Sequence, residues 1–163
     1  MKNHLLKIHG QDQGAKERCL LKIEGVYDKD YWLYADVPLD QDLEALDAFL
    51  RAIWLECCGH LSAFYLPGRE EVEMDEKLKA FAVGTKLFHE YDFGTTTETL
   101  ITFMGTIKRK THLKKVVLLA RNEPPVFKCA DCGKTAEYIS SEYTDSYERL
   151  FYCEECRDKN EDG

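Results

Sequence analysis

The feature that most constrains this chain is a pair of C-x-x-C motifs near its C-terminus. Cys129 and Cys132 form the first motif, and Cys153 and Cys156 form the second after a gap of twenty residues. This spacing is typical of a four-cysteine zinc site, in which two tight turns aim four thiolates at one ion. We therefore predict that these four cysteines bind Zn²⁺ in a C-terminal zinc ribbon. The alternatives are four ordinary thiols or two disulfides.

The sequence around the motifs also suits a ribbon. Gly133 follows the first motif, where such a turn often needs the left-handed backbone conformation that glycine adopts without strain. Residues 136–140 and 149–152 carry apolar and aromatic side chains suited to two short strands. We predict that residues 126–163 form a zinc ribbon that needs its metal to fold. The prolines at 124 and 125 mark the boundary with the preceding domain.

Length and composition favour one ordinary domain with a small appendage. The chain has 163 residues, 44% of them hydrophobic, which is enough to bury a core. No apolar run approaches the roughly 18 residues of a membrane span, and the start of the chain lacks the apolar stretch of a secretory signal. We therefore expect a cytoplasmic protein. Its seven cysteines would remain thiols or bind metal there, which counts against disulfides.

The charge distribution bears on the class of partner. The whole chain has a net charge of −8, and residues 126–163 contain five Lys and Arg against ten Asp and Glu. Four thiolates around one Zn²⁺ add about −2 more. Because such a surface repels phosphate backbones, a nucleic-acid partner is not expected, and the ribbon is predicted to face a protein partner. The alternative is a nucleic-acid-associated protein that uses the basic loop at residues 108–115, which holds five Lys and Arg.

Residues before the prolines predict an α+β domain at 18–121, after a loosely ordered tail at 1–17. Apolar residues recur at helical spacing over 40–56, with Asp40 as a plausible N-cap, and this main helix should pack on the sheet. The charged segment 69–77 is expected to be a solvated loop. The sheet is predicted to be mixed or antiparallel, and its first two strands should form a hairpin. Its strands are predicted at 18–26, 31–37, 61–66, 85–93, 98–107 and 115–120.

A histidine in one predicted strand is a candidate site residue. Alternation places His89 on the same face as Leu87 and Tyr91. One interpretation is an enzyme with a pocket around His89, in which Asp92 or Glu98 is its partner. The other is a histidine hydrogen-bonded within a packed sheet, where Asp92 caps the following turn.

A second cluster contains adjacent cysteines. Cys57 and Cys58 diverge by about 100° if the helix continues through them, so they are expected to be buried structural thiols. The alternative is a redox or metal role, in which His60 joins Cys58 across the turn. Otherwise His60 is expected to lie as a cation at the helix end.

The segment Tyr91-Asp92-Phe93-Gly94, followed by Glu98, resembles the signature of the plasmid ORF-three-like family. That family takes its name from an open reading frame on a root-inducing plasmid, and its relatives occur near mobile elements. Residues 53–60 also resemble a branch of bacterial proteins that end in a four-cysteine ribbon. The resemblance covers roughly residues 18–120 and implies an α+β fold with one mixed or antiparallel sheet. It implies no established reaction, and Thr95 stands where the family has a second aspartate.

These observations favour a cytosolic, non-enzymatic zinc-binding protein that presents a surface to another protein. The sequence contains no P-loop, no G-x-S-x-G, no H-E-x-x-H and no dinucleotide-binding glycine motif. The nucleic-acid-associated protein and the enzyme with a pocket around His89 are the two alternatives.

Overall fold

The computed structural model of the protein describes residues 16–55, 59–109, 116–144 and 149–161. Most of the predicted tail, Cys57, Cys58 and residues 110–115 of the basic loop lie outside these ranges. The chain divides into two compact units, Met1–Asn122 and Glu123–Gly163.

The larger unit is an antiparallel sheet with a helix packed on it. Its seven strands are ordered β4-β3-β5-β6-β1-β2-β7, and each neighbouring pair is antiparallel. The predicted α+β fold and the predicted first hairpin are confirmed. The elements are β1 (Lys16–Gly25), β2 (Trp32–Pro38), α1 (Leu43–Ile53), β3 (Ser62–Tyr65), β4 (Glu71–Val72), a 3-10 turn (Leu78–Ala80), β5 (Lys86–Tyr91), β6 (Thr97–Arg109) and β7 (Val117–Arg121).

The main core lies between α1 and one face of the sheet. Residues three and four apart on a helix share a face, and those of α1 that face the sheet are fully buried. Alternate residues of the central strands supply the other side. Each fully buried leucine of this size contributes roughly 1.5–3 kcal/mol, so this contact dominates the stability of the unit. The core includes Leu43, Leu46 and Leu50 of α1 with Leu21, Ile23, Leu33, Val37, Phe64, Leu87, Tyr91, Ile101 and Phe103 of the sheet.

A β-bulge lets β6 serve both faces of the sheet. The register between β1 and β6 shifts between Leu20 and Leu21, so Leu20 faces Gly105 and Leu21 faces Phe103. An extra residue reverses the alternation beyond it, because the side-chain period of a strand is two. Ile107 therefore packs with Leu20 in a second, smaller apolar cluster, whereas Phe103 belongs to the main core.

The beginning of α1 corrects the predicted cap. The Asp42 side chain accepts a hydrogen bond from the backbone N–H of Ala45 at 3.0 Å, so Asp42 is the N-cap and the prediction of Asp40 was wrong. Backbone carbonyls from the charged segment complete the cap, since Glu76 and Met74 accept from the first two helical N–H groups at 3.1 and 2.8 Å. That segment is thus more than a solvated loop, because it satisfies helix-end donors that would otherwise lack partners.

The smaller unit is a two-stranded hairpin followed by a short helix. Its elements are β8 (Tyr138–Tyr143), β9 (Arg149–Tyr152) and α2 (Glu154–Glu161). β8 and β9 pair antiparallel, with Tyr138 opposite Tyr152. The four cysteines flank the hairpin, with Cys129 and Cys132 before β8 and Cys153 and Cys156 after β9, as the sequence predicts for the ribbon.

The cap at Asp42 leads to a measurable difference between two neighbouring aspartates. Asp42→Ala should lower the free energy of unfolding by about 1 kcal/mol, because it removes the bond to Ala45 and exposes a helix-end donor. Asp40→Ala is the matched control and should change it by less than about 0.5 kcal/mol. Urea unfolding of both variants measures these changes. An equal loss of unfolding free energy in the two would contradict the assignment of Asp42 as the N-cap.

Candidate metal centre and a buried carboxylate network

The four cysteines of the two C-x-x-C motifs converge on one point. The Sγ atoms of Cys129, Cys132, Cys153 and Cys156 all lie within 4.8 Å of one another. The Sγ atoms of Cys132 and Cys153 are 3.6 Å apart. Sulfurs bound at about 2.3 Å to one tetrahedral ion would lie about 3.8 Å apart. The cluster therefore has a geometry suited to a metal ion.

A tight turn builds the first half of the cluster. The backbone N–H of Gly133 donates to the carbonyl of Cys129 at 3.0 Å, and the N–H of Cys129 donates to the carbonyl of Lys134 at 2.8 Å. Gly133 has φ of +72°, and no atom lies within 4 Å of where a Cβ would stand. The predicted need for glycine here is thus a matter of backbone conformation and not of space.

The start of α2 builds the second half. Cys153 precedes the helix, and its carbonyl accepts from the backbone N–H groups of Cys156 and Arg157 at 3.2 and 2.9 Å. A further bond from the N–H of Ala130 to the carbonyl of Phe151, at 2.9 Å, ties the first turn to β9. The two halves are therefore held together by backbone hydrogen bonds as well as by the position of the sulfurs.

The surroundings of the sulfurs favour a bound cation. Cys129, Cys153 and Cys156 are buried, whereas Cys132 is exposed. A hydrogen bond from the backbone N–H of Cys153 lowers the pKa of Cys129 to about 6, and burial raises the pKa of Cys156 to about 12. Several thiolates can share this small volume only if a positive charge compensates them. The described cysteines, including Cys19, are free thiols, so the disulfide alternative does not apply to them.

His89 takes part in a second polar cluster, in the larger unit. Its Nε2 lies 2.8 Å from Oδ1 of Asp47, a residue of α1, and its side chain is fully buried. The same carboxylate accepts from the Ser62 hydroxyl at 2.7 Å and from Nε of Arg51 at 2.6 Å. Arg51 also donates to the Ser62 hydroxyl at 2.7 Å. These four side chains, here called the Asp47 network, connect α1 to β3 and β5.

Asp92 and Glu98, the two predicted partners of His89, make other contacts. Asp92 accepts from the backbone N–H of Gly94 at 3.0 Å, which confirms the predicted turn cap. Glu98 accepts from the Tyr27 hydroxyl at 3.3 Å. The interpretation of His89 as a histidine hydrogen-bonded within a packed sheet is therefore confirmed, and the alternative in which Asp92 or Glu98 is its partner is wrong. Strand alternation explains this, because Glu98 points to the opposite face of the sheet from His89.

The carboxylate that holds His89 was missed in the sequence. Asp47 lies four residues after Leu43 and three before Leu50, so it falls on the apolar face of α1. An acidic residue inside such a face is rarely buried without a partner, so the position of Asp47 indicates that it has one. Its partner could not be read from the sequence, because His89 lies 42 positions away.

The remaining candidates are only partly described. α1 ends at Ile53 with Trp54 as its C-cap, so His60 does not lie at the helix end as predicted. The ring of His60 packs edge-on against Tyr91, and its Nδ1 lies 3.8 Å from Oδ1 of Asp92. Cys57 and Cys58 lie outside the described residues, as does the basic loop beyond Arg109.

Comparisons with known proteins identify a similar fold. No protein-family model matches the sequence, and no curated protein matches it. The crystal structure of MM3350 from Methanosarcina mazei Go1, a protein of unknown function, is similar with a TM-score of 0.57. The similarity covers 73% of this chain and 75% of that chain at 16% sequence identity. At this identity the comparison shows a common fold and does not show a common function.

No helix in the described ranges is both long and apolar enough to span a bilayer.

The Asp47 network should make stability depend on pH in a defined window. Burial acts to raise the pKa of Asp47, but hydrogen bonds from His89, Arg51 and Ser62 outweigh it and lower the pKa from 3.8 to about 2. Because the folded-state pKa is depressed, this stabilisation is complete above about pH 4 and is lost as the pH falls towards 2.

Asp47→Asn tests this assignment. At pH 7 it should lower the free energy of unfolding by about 2 to 4 kcal/mol, because the charged acceptor of three hydrogen bonds is lost. Asp40→Asn is the exposed control and should have little effect. Urea unfolding from pH 5 to pH 2 should show the wild type converging on the Asp47 variant. A difference in unfolding free energy between the two proteins that stays constant across that pH range would refute the depressed pKa of Asp47.

Proposed function

We propose that the protein is a cytoplasmic zinc-binding protein whose C-terminal unit is a zinc ribbon that contacts another protein and catalyses no reaction. The observation that carries the proposal is the convergence of four Sγ atoms within 4.8 Å. Four soft thiolate ligands in a tetrahedral arrangement favour Zn²⁺ among the common biological divalent ions. Four protein ligands also complete the tetrahedron, so no coordination position is left for a reacting water, as a structural site requires.

An exposed apolar patch on the hairpin supports a protein partner. Phe127 and Phe151 stack with their ring centroids 4.0 Å apart, and Ile139 lies opposite Phe151 across the hairpin. Ile139 is 51% exposed and the neighbouring Val126 is 68% exposed. Aromatic and aliphatic side chains held in this way supply the apolar centre of many protein interfaces. We call Phe127, Ile139 and Phe151 the hairpin patch.

The charge around the hairpin patch indicates the chemistry of the partner. Residues 126–163 carry five more acidic than basic side chains, and the zinc–thiolate centre adds about −2. A protein surface with basic residues around an apolar centre would therefore associate faster and more selectively than an acidic one. Nucleic acid is the less favourable partner for the same reason.

The plasmid ORF-three-like family is part of this proposal. Its support is the antiparallel α+β fold together with the match at Tyr91, Asp92, Phe93, Gly94 and Glu98. In the structure Asp92 caps the turn at Gly94, so these residues build the connection between β5 and β6. We infer for them a structural role and not a catalytic one.

Zinc dependence of the ribbon is the first test. Zinc binding should contribute folding free energy on the order of 10 kcal/mol to a unit too small to fold alone. Cys132→Ser should therefore abolish zinc binding and unfold the residues after Pro125, while the sheet unit stays folded. Metal analysis should find one zinc ion per chain in the wild type, and amide exchange should show protection lost only in the ribbon.

Cys19→Ala is the matched control for this test, because Cys19 is a buried thiol of β1 outside the cluster. It should retain zinc fully. A ribbon that stays protected in the Cys132 variant, or zinc lost from the Cys19 variant, would overturn the assignment.

The hairpin patch is tested by placing a charge in it. Ile139→Glu should reduce binding of partner proteins from an extract of the native host while zinc content stays unchanged, since the substitution adds charge to an apolar contact. Val83→Glu is the control, because Val83 is 65% exposed in the larger unit. Quantitative mass spectrometry measures how much of each partner protein every variant captures. Equal capture by both variants would contradict a role of the hairpin patch in partner binding.

A further inference from the structure

A cavity lies at one end of the sheet, beside the C-terminus of α1. Its volume is about 330 Å³, within the range of small-molecule sites. Tyr31 and Trp54 form an edge-to-face pair in its wall, with ring centroids 6.4 Å apart. Leu55 adds an apolar surface that is almost completely buried. A volume and lining of this kind suit a molecule with one or two aromatic rings.

Gly25 of β1 lines the cavity beside Thr99. Gly25 pairs with Thr99 of β6, and opposed residues of antiparallel strands point to the same face. A Cβ on Gly25 would lie 2.4 Å from the carbonyl oxygen of Asp28, so the turn that follows β1 admits only glycine. Gly25 therefore lets the turn approach the sheet closely, and Thr99 beside it lines the cavity.

Two buried polar atoms at this position have no partner among the described residues. They are the hydroxyl oxygen of Thr99, whose side chain is 3% exposed, and Nδ1 of His89, which is fully buried. His89 is the residue opposite Thr99 on β5, so the two side chains share one face with their Cβ atoms about 5 Å apart. His89 is not among the residues that line the cavity, so of the two side chains only Thr99 contributes to its wall.

An unpartnered buried polar atom costs free energy, and a hydrogen-bonding ligand would remove that cost. The hydroxyl of Thr99 can both donate and accept. A ligand hydroxyl, which also does both, therefore fits it.

The entrance to the cavity is acidic. Tyr27 and Asp28 lie there and are exposed, in contrast to the buried Thr99 and Leu55, so the cavity deepens from the β1–β2 turn towards the sheet. Burial raises the pKa of Tyr31, and the carboxylates of Asp28 and Asp30 raise it further. Asp28 and Glu98 line the cavity, and the one nearby ammonium described is that of Lys29, which donates to the carbonyl of Gly25 at 2.9 Å. Two carboxylates against one ammonium favour a positive group at the entrance and disfavour an anion.

We propose that this cavity binds a small aromatic amine, with a ring hydroxyl on Thr99 at the buried end and an ammonium group at the acidic entrance. The ring lies against Tyr31 and Trp54, where aromatic contacts and a nearby cation are both favourable. This binding site is separate from the metal centre and does not depend on zinc.

Tyramine is the probe, because it combines a phenol and an ammonium group at opposite ends of one ring. The chain has two tryptophans, so its ¹H–¹⁵N spectrum contains two indole signals, and Trp32→Phe assigns the signal of Trp54. Titration of the full-length protein with tyramine should shift the Trp54 signal saturably. Phenethylamine, which lacks the hydroxyl, should bind about two- to tenfold more weakly. The anion 3-(4-hydroxyphenyl)propionate should bind at least about threefold more weakly.

Thr99→Val removes the hydroxyl at nearly constant volume and should make tyramine and phenethylamine bind equally. Thr106→Val, at an exposed position of the same strand, should leave the preference unchanged. The comparison of ligands on the unchanged protein does not depend on the folding of any variant. No saturable shift with millimolar tyramine, equal binding of the anion, or an unchanged preference in a folded Thr99 variant would overturn the proposal.

Discussion

The carboxylate of Asp47 is the interaction on which the larger unit depends. It accepts hydrogen bonds from side chains of α1, β3 and β5, and so it fixes the position of the helix on the sheet. Apolar contacts between α1 and the sheet supply most of the stability, but they are not directional. A partly buried charge with three donors is directional, since each donor must meet it at about 2.8 Å. The network therefore adds a directional constraint to the packing of the helix on the sheet.

The proposed ligand site lies next to the Asp47 network on the sheet. His89, which the carboxylate holds, is the residue opposite Thr99 on the neighbouring strand. Gly25 lies on the other side of Thr99 and lets the turn after β1 approach closely, because a Cβ there would meet the carbonyl of Asp28. Thr99 therefore lines the cavity, and its hydroxyl has no partner among the described residues.

The smaller unit depends on a different constraint. Its apolar cluster consists of Cys129, Cys153 and Cys156, with Ala136 and Tyr152 packed against them. A cluster of this size buries little apolar surface for a unit of about 40 residues, and the four sulfurs at its centre have a geometry suited to a metal ion. The hydrogen bonds at Cys129, Gly133 and Cys153 position the sulfurs, and the metal would supply the free energy. Because the cysteines occupy the centre, the remaining apolar side chains of the hairpin lie outside and form the hairpin patch.

The sequence by itself determined the features that rest on local spacing. The two C-x-x-C motifs predicted the sulfur cluster, and the periods of two and 3.6 predicted most strands and the helix, because these patterns repeat within a few residues. The exact cap did not follow, since Asp40 and Asp42 are both suitable and only the backbone path of residues 74–76 decides between them. The tertiary structure alone decided the partner of His89, the bulge that turns Ile107 to the second face, and the cavity beside Thr99. Each of these joins residues far apart in the chain, and no local pattern encodes which distant side chain will meet them.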